Sequence, residues 1–292
     1  MGETVTRGAL ARMPIPQPSG GGGKEERGRV LVVAGSRELI GAAILAGTSV
    51  LRVGAGKLQY NCPASIAFHL GTAMPEARAV GFPETPSGAI AVEAAETIAR
   101  NAGKCSAVLI GPGLLDEEAT GDLVAELLSR IADVPIVLDA AAMMGLRRHR
   151  HLLDRHAGRV VITPHAGEMA GMLGRDKEEI EADPEAVARE VAADLGVVVA
   201  LKGACSYIAG PAGEAWSCAH GNVGLGTSGS GDTLAGLIAG LLGRGADPVR
   251  AVVWGVYLHG EAGNRLARSR GLLGYLAREI PDEVPSILAE LC

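Results

Sequence analysis

The chain has 292 residues, of which 48% are hydrophobic and 21% charged, so it can bury a large core and is neither disordered nor fibrous. Its formal net charge is −6, and its one basic run, Arg147–His151, is too short to predict binding along a nucleic-acid backbone. We therefore expect a small-molecule partner and no nucleic acid.

The cysteines indicate a reducing compartment. They are scattered along the chain without a C-x-x-C pair, which does not suggest a disulfide framework; they are Cys62, Cys105, Cys205, Cys218 and Cys292. No early apolar run resembles a signal peptide, and no later run reaches the roughly 18 apolar residues that span a bilayer. The sequence thus predicts a cytoplasmic protein with no membrane association.

The first 27 residues are predicted to be a flexible leader outside the fold. They contain Pro14, Pro16, Pro18 and the Gly20–Gly23 run, a composition that buries little surface. No repeat and no Pro/Gly/Ser-rich linker interrupts the remainder. We therefore expect a single domain over residues 28–292.

From residue 28 onward, short β-branched runs alternate with Ala/Leu segments at helical spacing. The predicted strands are Val30–Ala34, Lys57–Asn61, Ala107–Ile110, Pro135–Asp139, Val160–Thr163 and Val197–Leu201, followed by a hairpin of Ser206–Ala209 and Ala215–Cys218. The predicted helices lie near 40–53, 89–101, 117–131, 184–195, 231–243 and 248–268. This alternation predicts an α/β fold whose mostly parallel sheet is covered by helices on both faces.

Several predicted strands end in a polar or glycine-rich sequence. These strand ends are Gly35-Ser36, Gly111-Pro112-Gly113, Asp139-Ala140, Thr163-Pro164-His165 and Lys202-Gly203. In an open α/β sheet the ligand crevice lies at the carboxyl ends of the strands, so we expect these segments to converge on one site. Two of them have alternative explanations: Asp139 can bind a ligand or cap the next helix, and Gly111–Gly113 can be only a tight turn.

The last two of these strand ends carry groups suited to phosphate chemistry. His165 can bond a substrate amide or phosphate, and Glu168 can orient water around Mg²⁺, although both can instead cap a turn. Lys202 can reach a phosphate while Gly203 brings the main chain close to a nucleotide, although a solvated lysine is as common at a strand terminus.

The strongest local signal is the glycine cluster Gly226–Gly236, which leads directly into an apolar helix pattern. Free amides at Gly229–Gly231 and the positive end of the helix dipole can hold phosphoryl oxygens. Asp232, in the first turn, can accept the proton of an attacking hydroxyl. The alternative is that Ser230 or Asp232 only caps the helix. No Walker A sequence is present, so phosphoryl transfer requires another architecture.

In this order and spacing, the motifs resemble the ADP/ATP-dependent NAD(P)H-hydrate dehydratases, a branch of the ribokinase-like superfamily. The similarity covers about residues 28–280 and rests on Gly35-Ser36, Gly111–Gly113, Leu138–Ala140, Thr163–Met169, Leu201–Ala204, Asn222–Gly224, Gly229–Asp232 and Tyr257–Gly260. The resemblance implies a ribokinase-like three-layer αβα domain. It also implies ADP as the phosphoryl donor, in place of the ATP that eukaryotic members use.

The resemblance assigns residues to two ligands. It implies that Lys202, Gly203, Ala204, Cys205, Ser206 and Gly231 line the nucleotide site. It implies that Ala43, Gly113, His165 and Asp232 approach the hydrated dinucleotide. Three positions depart from the family pattern: Ile40 replaces an aromatic residue, Leu115 a glycine and Ala141 an acidic residue, which affects substrate affinity more than reaction type.

The sequence therefore predicts an enzyme that repairs hydrated NADH and NADPH by phosphorylation and elimination, with Asp232 as general base and Gly229 and Gly231 in the anion hole. The alternatives are a small-alcohol kinase of the same superfamily and a catalytically silent nucleotide sensor. We expect a homo-oligomer, for which apolar helices such as 234–242 could supply an interface. We also expect the epimerase that is often fused in this family to be a separate protein.

Overall fold

The computed structural model describes residues 2–19 and 23–292. Its strands in these ranges are β1 (Glu3–Thr4), β2 (Arg29–Val33), β3 (Lys57–Pro63), β4 (Ala77–Phe82), β5 (Ala107–Ile110), β6 (Ile136–Leu138), β7 (Val160–Ile162), β8 (Val198–Leu201), β9 (Ser206–Ala209) and β10 (Ala215–Cys218). Its α-helices are α1 (Arg7–Arg12), α2 (Ile40–Arg52), α3 (Ala64–Ala73), α4 (Ala95–Ala102), α5 (Glu117–Arg130), α6 (Arg150–Leu153), α7 (Ala166–Leu173), α8 (Lys177–Ala182), α9 (Pro184–Leu195), α10 (Ser230–Gly243), α11 (Pro248–Arg270) and α12 (Ile280–Leu291).

All the strands join one sheet in the order β1-β10-β9-β8-β7-β6-β5-β2-β3-β4. Strands β2 to β8 pair in parallel, while β9 pairs antiparallel with both β8 and β10. The strand order reverses between β2 and β5, and the helices that follow these two strands, α2 and α5, lie on opposite faces of the sheet. A crevice outside the carboxyl ends of the strands is expected at such a switch point.

Helices cover both faces of the sheet because the buried strands are apolar on both sides. Val30 and Val32 belong to one apolar cluster with residues of α2, α10 and α11, whereas Leu31 and Val33 belong to a second cluster with residues of α4, α5 and α9. The predicted αβα arrangement with a mostly parallel sheet is therefore confirmed. No described helix is long and apolar enough to cross a bilayer.

Helix α10 packs against α2 at glycines. A Cβ built on Gly236 would overlap the carbonyl oxygen of Ala46, and one built on Gly240 would lie 2.9 Å from the Val50 carbonyl oxygen. The residues of α10 from Leu234 to Leu242 are all buried inside the protomer. The expectation that helix 234–242 supplies an oligomer interface is therefore wrong, because its apolar faces are already covered by the chain itself.

The described part of the N-terminal segment packs on the domain. Strand β1 pairs in parallel with β10, the Leu10 side chain on α1 is 1% exposed, and the indole of Trp254 donates to the Met13 carbonyl at 2.8 Å. The prediction of a flexible leader over residues 1–27 is wrong for these residues. A two-residue strand and a six-residue helix are too short for periodicity to detect. Residues 20–22 of the predicted glycine run lie outside the described residues.

Most of the other predicted elements are close to the observed ones, and the hairpin β9–β10 has the predicted bounds. The helix predicted near 89–101 differs, because α4 begins only at Ala95. Strand β4 and helices α3, α6, α8 and α12 were missed. β4 is a partly exposed edge strand whose sequence Ala77–Phe82 contains alanine and glycine, so it has neither the β-branched composition nor the full burial of the central strands.

Candidate active site

The loops after β2 and β5 meet at the switch point of the sheet. Gly35 donates its amide to the Pro112 carbonyl at 2.8 Å, and Leu114 donates to the Gly111 carbonyl at 2.9 Å, so Gly111–Gly113 forms a tight turn. At Gly113, where φ is 72°, a Cβ would lie 2.5 Å from the Leu39 carbonyl oxygen. Only glycine fits this approach to the start of α2.

Ala43 lies one turn inside α2 and is fully buried, with its carbonyl accepting a hydrogen bond from the Tyr60 hydroxyl at 3.0 Å. Its side chain therefore packs in the interior, beside Gly35. The departures at neighbouring positions differ in exposure: Ile40 is half-buried, Leu115 is exposed, and Ala141 is buried. Their effect on affinity stays a prediction.

Lys202 joins two carboxylates at the ends of neighbouring strands. Its Nζ lies 3.4 Å from Asp139 Oδ1 and 3.5 Å from Glu168 Oε2. Burial lowers the pKa of this ammonium, but the two carboxylates outweigh burial and leave its pKa raised. Lys202 is thus a paired, half-buried cation rather than a solvated one.

Asp139 is buried and accepts a hydrogen bond from the Thr163 hydroxyl at 2.6 Å, in addition to its contact with Lys202. Its side chain does not cap the short 3-10 helix that follows. The alternative of a capping role is therefore not observed, and the carboxylate is held among the strand ends.

His165 and Glu168 form a reciprocal cap at the start of α7. Glu168 donates its amide to His165 Nδ1 at 3.1 Å, and Glu168 Oε2 accepts from the His165 amide at 2.8 Å. The capping alternative is thus present in the structure. The cap leaves His165 accessible to a ligand, because the His165 side chain is 58% exposed and lines a cavity.

The glycine turn before α10 has free amides. Gly229 has a φ of 87°, a conformation that favours glycine, and Ser230 donates its amide to the Thr227 carbonyl at 3.2 Å. Within residues 2–19 and 23–292, no acceptor is present for the amides of Gly229 and Gly231. A Cβ built on Gly231 would lie 3.4 Å from Lys202 Nζ, so an ammonium stands beside these amides. The turn is suited to binding an anion.

Asp232 is half-buried in the first turn of α10, and no residue in the described part of the chain hydrogen-bonds its carboxylate. Burial and the charge of Asp139 raise its pKa to about 7, against the opposing effect of Lys202. Its Oδ2 lies 3.9 Å from the position of a Cβ on Gly229, on the side where that Cβ would meet Leu45 of α2. The carboxylate therefore lies beside the glycine turn, within reach of the charges of Asp139 and Lys202.

A cavity of about 640 Å³ lies beside the glycine turn. Of the predicted nucleotide-site residues, Lys202, Gly203, Ala204, Ser206 and Gly231 line it. Cys205 instead lines a neighbouring cavity of about 270 Å³. The volume is within the range of small-molecule and cofactor sites.

The sequence analysis missed a polar cluster on α11 beside this cavity. His220 Nε2 lies 2.7 Å from Glu261 Oε2, and the imidazole stacks on Tyr257 with 4.6 Å between ring centroids. His259, on the same helix, also lines the cavity. A signal was available, because Tyr257, Glu261 and Arg265 recur at every fourth residue of α11, which places them on one face.

The described residues contain no cluster of three side chains suited to holding a metal ion by themselves. Mg²⁺ is commonly bound by one or two carboxylates together with substrate phosphates. Glu168 fits that mode of binding, because only its Oε2 is engaged in the helix cap. The residues present therefore fit a metal that is shared with a nucleotide.

Known proteins resemble this chain along most of its length. The family model for NAD(P)H-hydrate dehydratase matches residues 30–286. A Xanthomonas campestris protein, "ADP-dependent (S)-NAD(P)H-hydrate dehydratase", is 48% identical over 99% of this chain and 96% of its own length.

Two solved structures share the fold. The Bacillus subtilis ADP/ATP-dependent NAD(P)H-hydrate dehydratase, co-crystallised with ATP/Mg²⁺, has a TM-score of 0.82 at 30% identity and covers 99% of both chains. A ribokinase-like superfamily protein from Enterococcus faecalis has a TM-score of 0.80 at 25% identity, covering 99% of this chain and 96% of its own.

Proposed function

The chain belongs to the NAD(P)H-hydrate dehydratase family. We propose that it catalyses ADP-dependent dehydration of (S)-NAD(P)H hydrate at the glycine turn before α10. The protein is a hydro-lyase with a ribokinase-like fold. One observation carries the proposal: Gly231, whose amide has no acceptor among the described residues, lines a cavity of about 640 Å³, and the next residue, Asp232, has a carboxylate with no hydrogen-bond partner in the same part of the chain.

The cavity holds the nucleotide. Lys202, Gly203, Ala204 and Ser206 line it together with Ser230 and Gly231. We place the terminal phosphoryl group of ADP at the amides of Gly229 and Gly231, where the helix dipole favours negative charge. Cys205 belongs to the same loop but lines the neighbouring cavity.

The hydrated ring lies on the Asp232 side. Gly113 and the start of α2 form one wall of this crevice, while Asp139 and His165 lie at the ends of neighbouring strands. Gly113 leaves room for the ring beside the main chain. We propose that Ala43 shapes this wall from within α2, because its side chain is buried.

Asp232 acts as the general base. It removes the proton of the ring hydroxyl, and the hydroxyl oxygen forms a bond to the terminal phosphorus of ADP while the bond from that phosphorus to AMP breaks. The amides of Gly229 and Gly231 stabilise the charge that develops on the phosphoryl oxygens. When bound with the nucleotide, Mg²⁺ supplies further charge neutralisation, with Glu168 as the proposed protein ligand, direct or through water.

Elimination completes the reaction. The lone pair of the ring nitrogen assists as the carbon–oxygen bond breaks and phosphate leaves, and loss of a ring proton restores the double bond of NAD(P)H. The products are NAD(P)H, AMP and phosphate. The net change is loss of one water from the substrate, with ADP cleaved to AMP and phosphate.

We propose two protein partners for the enzyme: an epimerase and further copies of the same chain. A relative is named for the (S) form of the hydrate, so the other epimer would need a second enzyme, and we propose a separate NAD(P)H-hydrate epimerase. We also propose a homo-oligomer, whose interface lies elsewhere than α10. A cytoplasmic location is supported by five cysteines without disulfides, of which Cys62 and Cys218 are buried.

The test is turnover of chemically hydrated NADH with ADP or ATP, followed by near-ultraviolet absorbance and phosphate release. We expect recovery of the NADH absorbance with one phosphate released per NADH formed, and faster turnover with ADP. A small-alcohol kinase would leave a stable phosphorylated product, and a silent sensor would bind nucleotide without turnover. Either result would replace the proposed function.

A further inference from the structure

Ser230 and His259 form a polar pair in the wall of the nucleotide cavity. His259 Nε2 lies 2.9 Å from the Ser230 hydroxyl oxygen and 3.1 Å from the Ser230 carbonyl oxygen. Both residues line the cavity. The sequence analysis considered Ser230 only as a helix cap, but the N-cap residue of α10 is Gly229 and no described side chain caps the helix.

The proton positions follow from the geometry. A carbonyl oxygen only accepts, so His259 Nε2 must carry the proton that it shares between the Ser230 carbonyl and hydroxyl oxygens. Burial lowers the pKa of His259 to about 4, so the ring is neutral near pH 7. The Ser230 hydroxyl therefore accepts from His259, and its own proton is free. Within the described ranges the hydroxyl has no other partner.

Building on the function proposed above, we propose that the Ser230 hydroxyl is a further catalytic residue that donates a hydrogen bond to a phosphoryl oxygen of ADP, and that His259 is a positioning residue for it. Ser230 lies between Gly229 and Gly231, whose amides have no acceptor in the described part of the protein. Lys202 Nζ stands beside the same turn. The hydroxyl thus adds a side-chain donor to a set of main-chain donors.

His259 makes this donor effective in two ways. Its bond to the Ser230 carbonyl holds the turn, and its bond to Oγ fixes the direction in which the serine proton can point. Donors fixed before the reaction stabilise developing charge without reorganising. Since the ring is neutral, His259 can hold the serine without adding a second cation beside Lys202.

The first test compares Ser230→Ala with Ser230→Thr, which keeps the hydroxyl. A matched control is Ser129→Ala on α5, whose hydroxyl donates to the Glu126 carbonyl and to nothing else among the described residues. We expect Ser230→Ala to lower kcat/KM for ADP about 10- to 100-fold, the range for losing a hydrogen bond to a charged group, and Ser230→Thr to recover most of it. A Ser230→Ala enzyme as active as the control would overturn the proposal.

The second test concerns His259. We expect His259→Ala to lower kcat/KM and His259→Gln, which keeps an N–H donor, to lower it less. If His259 acts through Ser230, the double variant with Ser230→Ala should lose less than the product of the two single losses. A purely multiplicative loss in folded protein would show that His259 acts independently, and would refute the positioning role.

Calorimetric binding of ADP separates this inference from the proposed function. If the wild-type protein binds ADP but does not turn over hydrated NADH, the proposed function fails. The Kd for ADP then decides whether Ser230 contacts the nucleotide. Weaker ADP binding by Ser230→Ala that is restored in Ser230→Thr supports the contact. Equal Kd values for the wild type and both variants contradict it.

Discussion

At the scale of single residues, the ionisation of Asp232 decides whether the turn can act. Its raised pKa of about 7 arises from burial and from the charge of Asp139, with Lys202 opposing. A general base whose pKa lies near the working pH combines a large ionised fraction with good proton affinity. The side chain is therefore placed where burial tunes it for proton removal.

The pH dependence of activity should show this tuning. Since the carboxylate must be ionised to accept a proton, we expect kcat/KM to rise with pH through about 7. In Asp139→Asn one charge that raises the pKa of Asp232 is gone, so the rise should move to lower pH. The control is Glu190→Gln at an exposed position, which should leave the rise of kcat/KM at the same pH. If the rise stays at the same pH in Asp139→Asn, a group other than Asp232 titrates.

The same pKa shift has a consequence for stability. The folded-state pKa of Asp232 is raised above its ordinary value of 3.8, so ionisation costs the folded state free energy as pH rises through about 7. We expect Asp232→Asn to have a Tm equal to or above that of the wild type at pH 8, with the difference shrinking toward pH 4. A lower Tm at pH 8 would show that the carboxylate stabilises the fold instead.

Sequence reasoning found the strand-end residues but not the pairs they form. Lys202, Asp139 and Glu168 were each identified separately, and only the parallel order of their strands joins them into one charged cluster. Ser230 and His259 are 29 residues apart and meet only because α11 packs along α10. Contacts of this kind depend on helix packing, which local patterns do not specify.

At the scale of elements, the close packing of α10 on α2 positions the site. Leu45 of α2 lies against the glycine turn. The backbone of α10 at Gly236 also lies very close to the backbone of α2. The sequence predicted both helices within two residues of their observed ends. It also offered 234–242 as an example of a helix able to supply an oligomer interface, because hydrophobicity alone does not say what covers a face.

This packing can be tested by adding one methyl group. A Cβ at Gly236 would overlap the Ala46 carbonyl oxygen, so we expect Gly236→Ala to lower the free energy of unfolding by about 1–3 kcal/mol and to reduce kcat. Gly121→Ala on α5 is the matched control, because its Cβ meets nothing within 4 Å and should be neutral or stabilising. Equal stability of the two variants in denaturant titration would contradict the close approach.

At the scale of the whole molecule, the N-terminal segment completes one edge of the sheet and covers α11. Composition suggested a flexible leader, because proline and glycine outnumber the few apolar side chains. Leu10 and Ile15 are nevertheless buried, and Met13 accepts the hydrogen bond of Trp254. A few well-placed contacts on an existing core outweigh an unfavourable local composition, which no window of the sequence can show.

Shortening one of these side chains tests the role of the segment. We expect Leu10→Ala to lower the free energy of unfolding by about 2–5 kcal/mol, because the side chain is 1% exposed in the large apolar cluster. Arg12→Ala, on the same short helix but exposed, is the control and should change little. If both variants unfold at the same temperature as the wild type, the segment is dispensable for the fold.

The central claim is that one carboxylate removes the proton while the glycine turn holds the phosphoryl group. Its most direct measurement is single-turnover recovery of NADH from hydrated NADH and ADP by Asp232→Asn, alongside the calorimetric Kd for ADP. We expect the rate to fall on the order of 10²- to 10⁴-fold with the Kd for ADP nearly unchanged. A rate within a few-fold of the wild type would contradict the account.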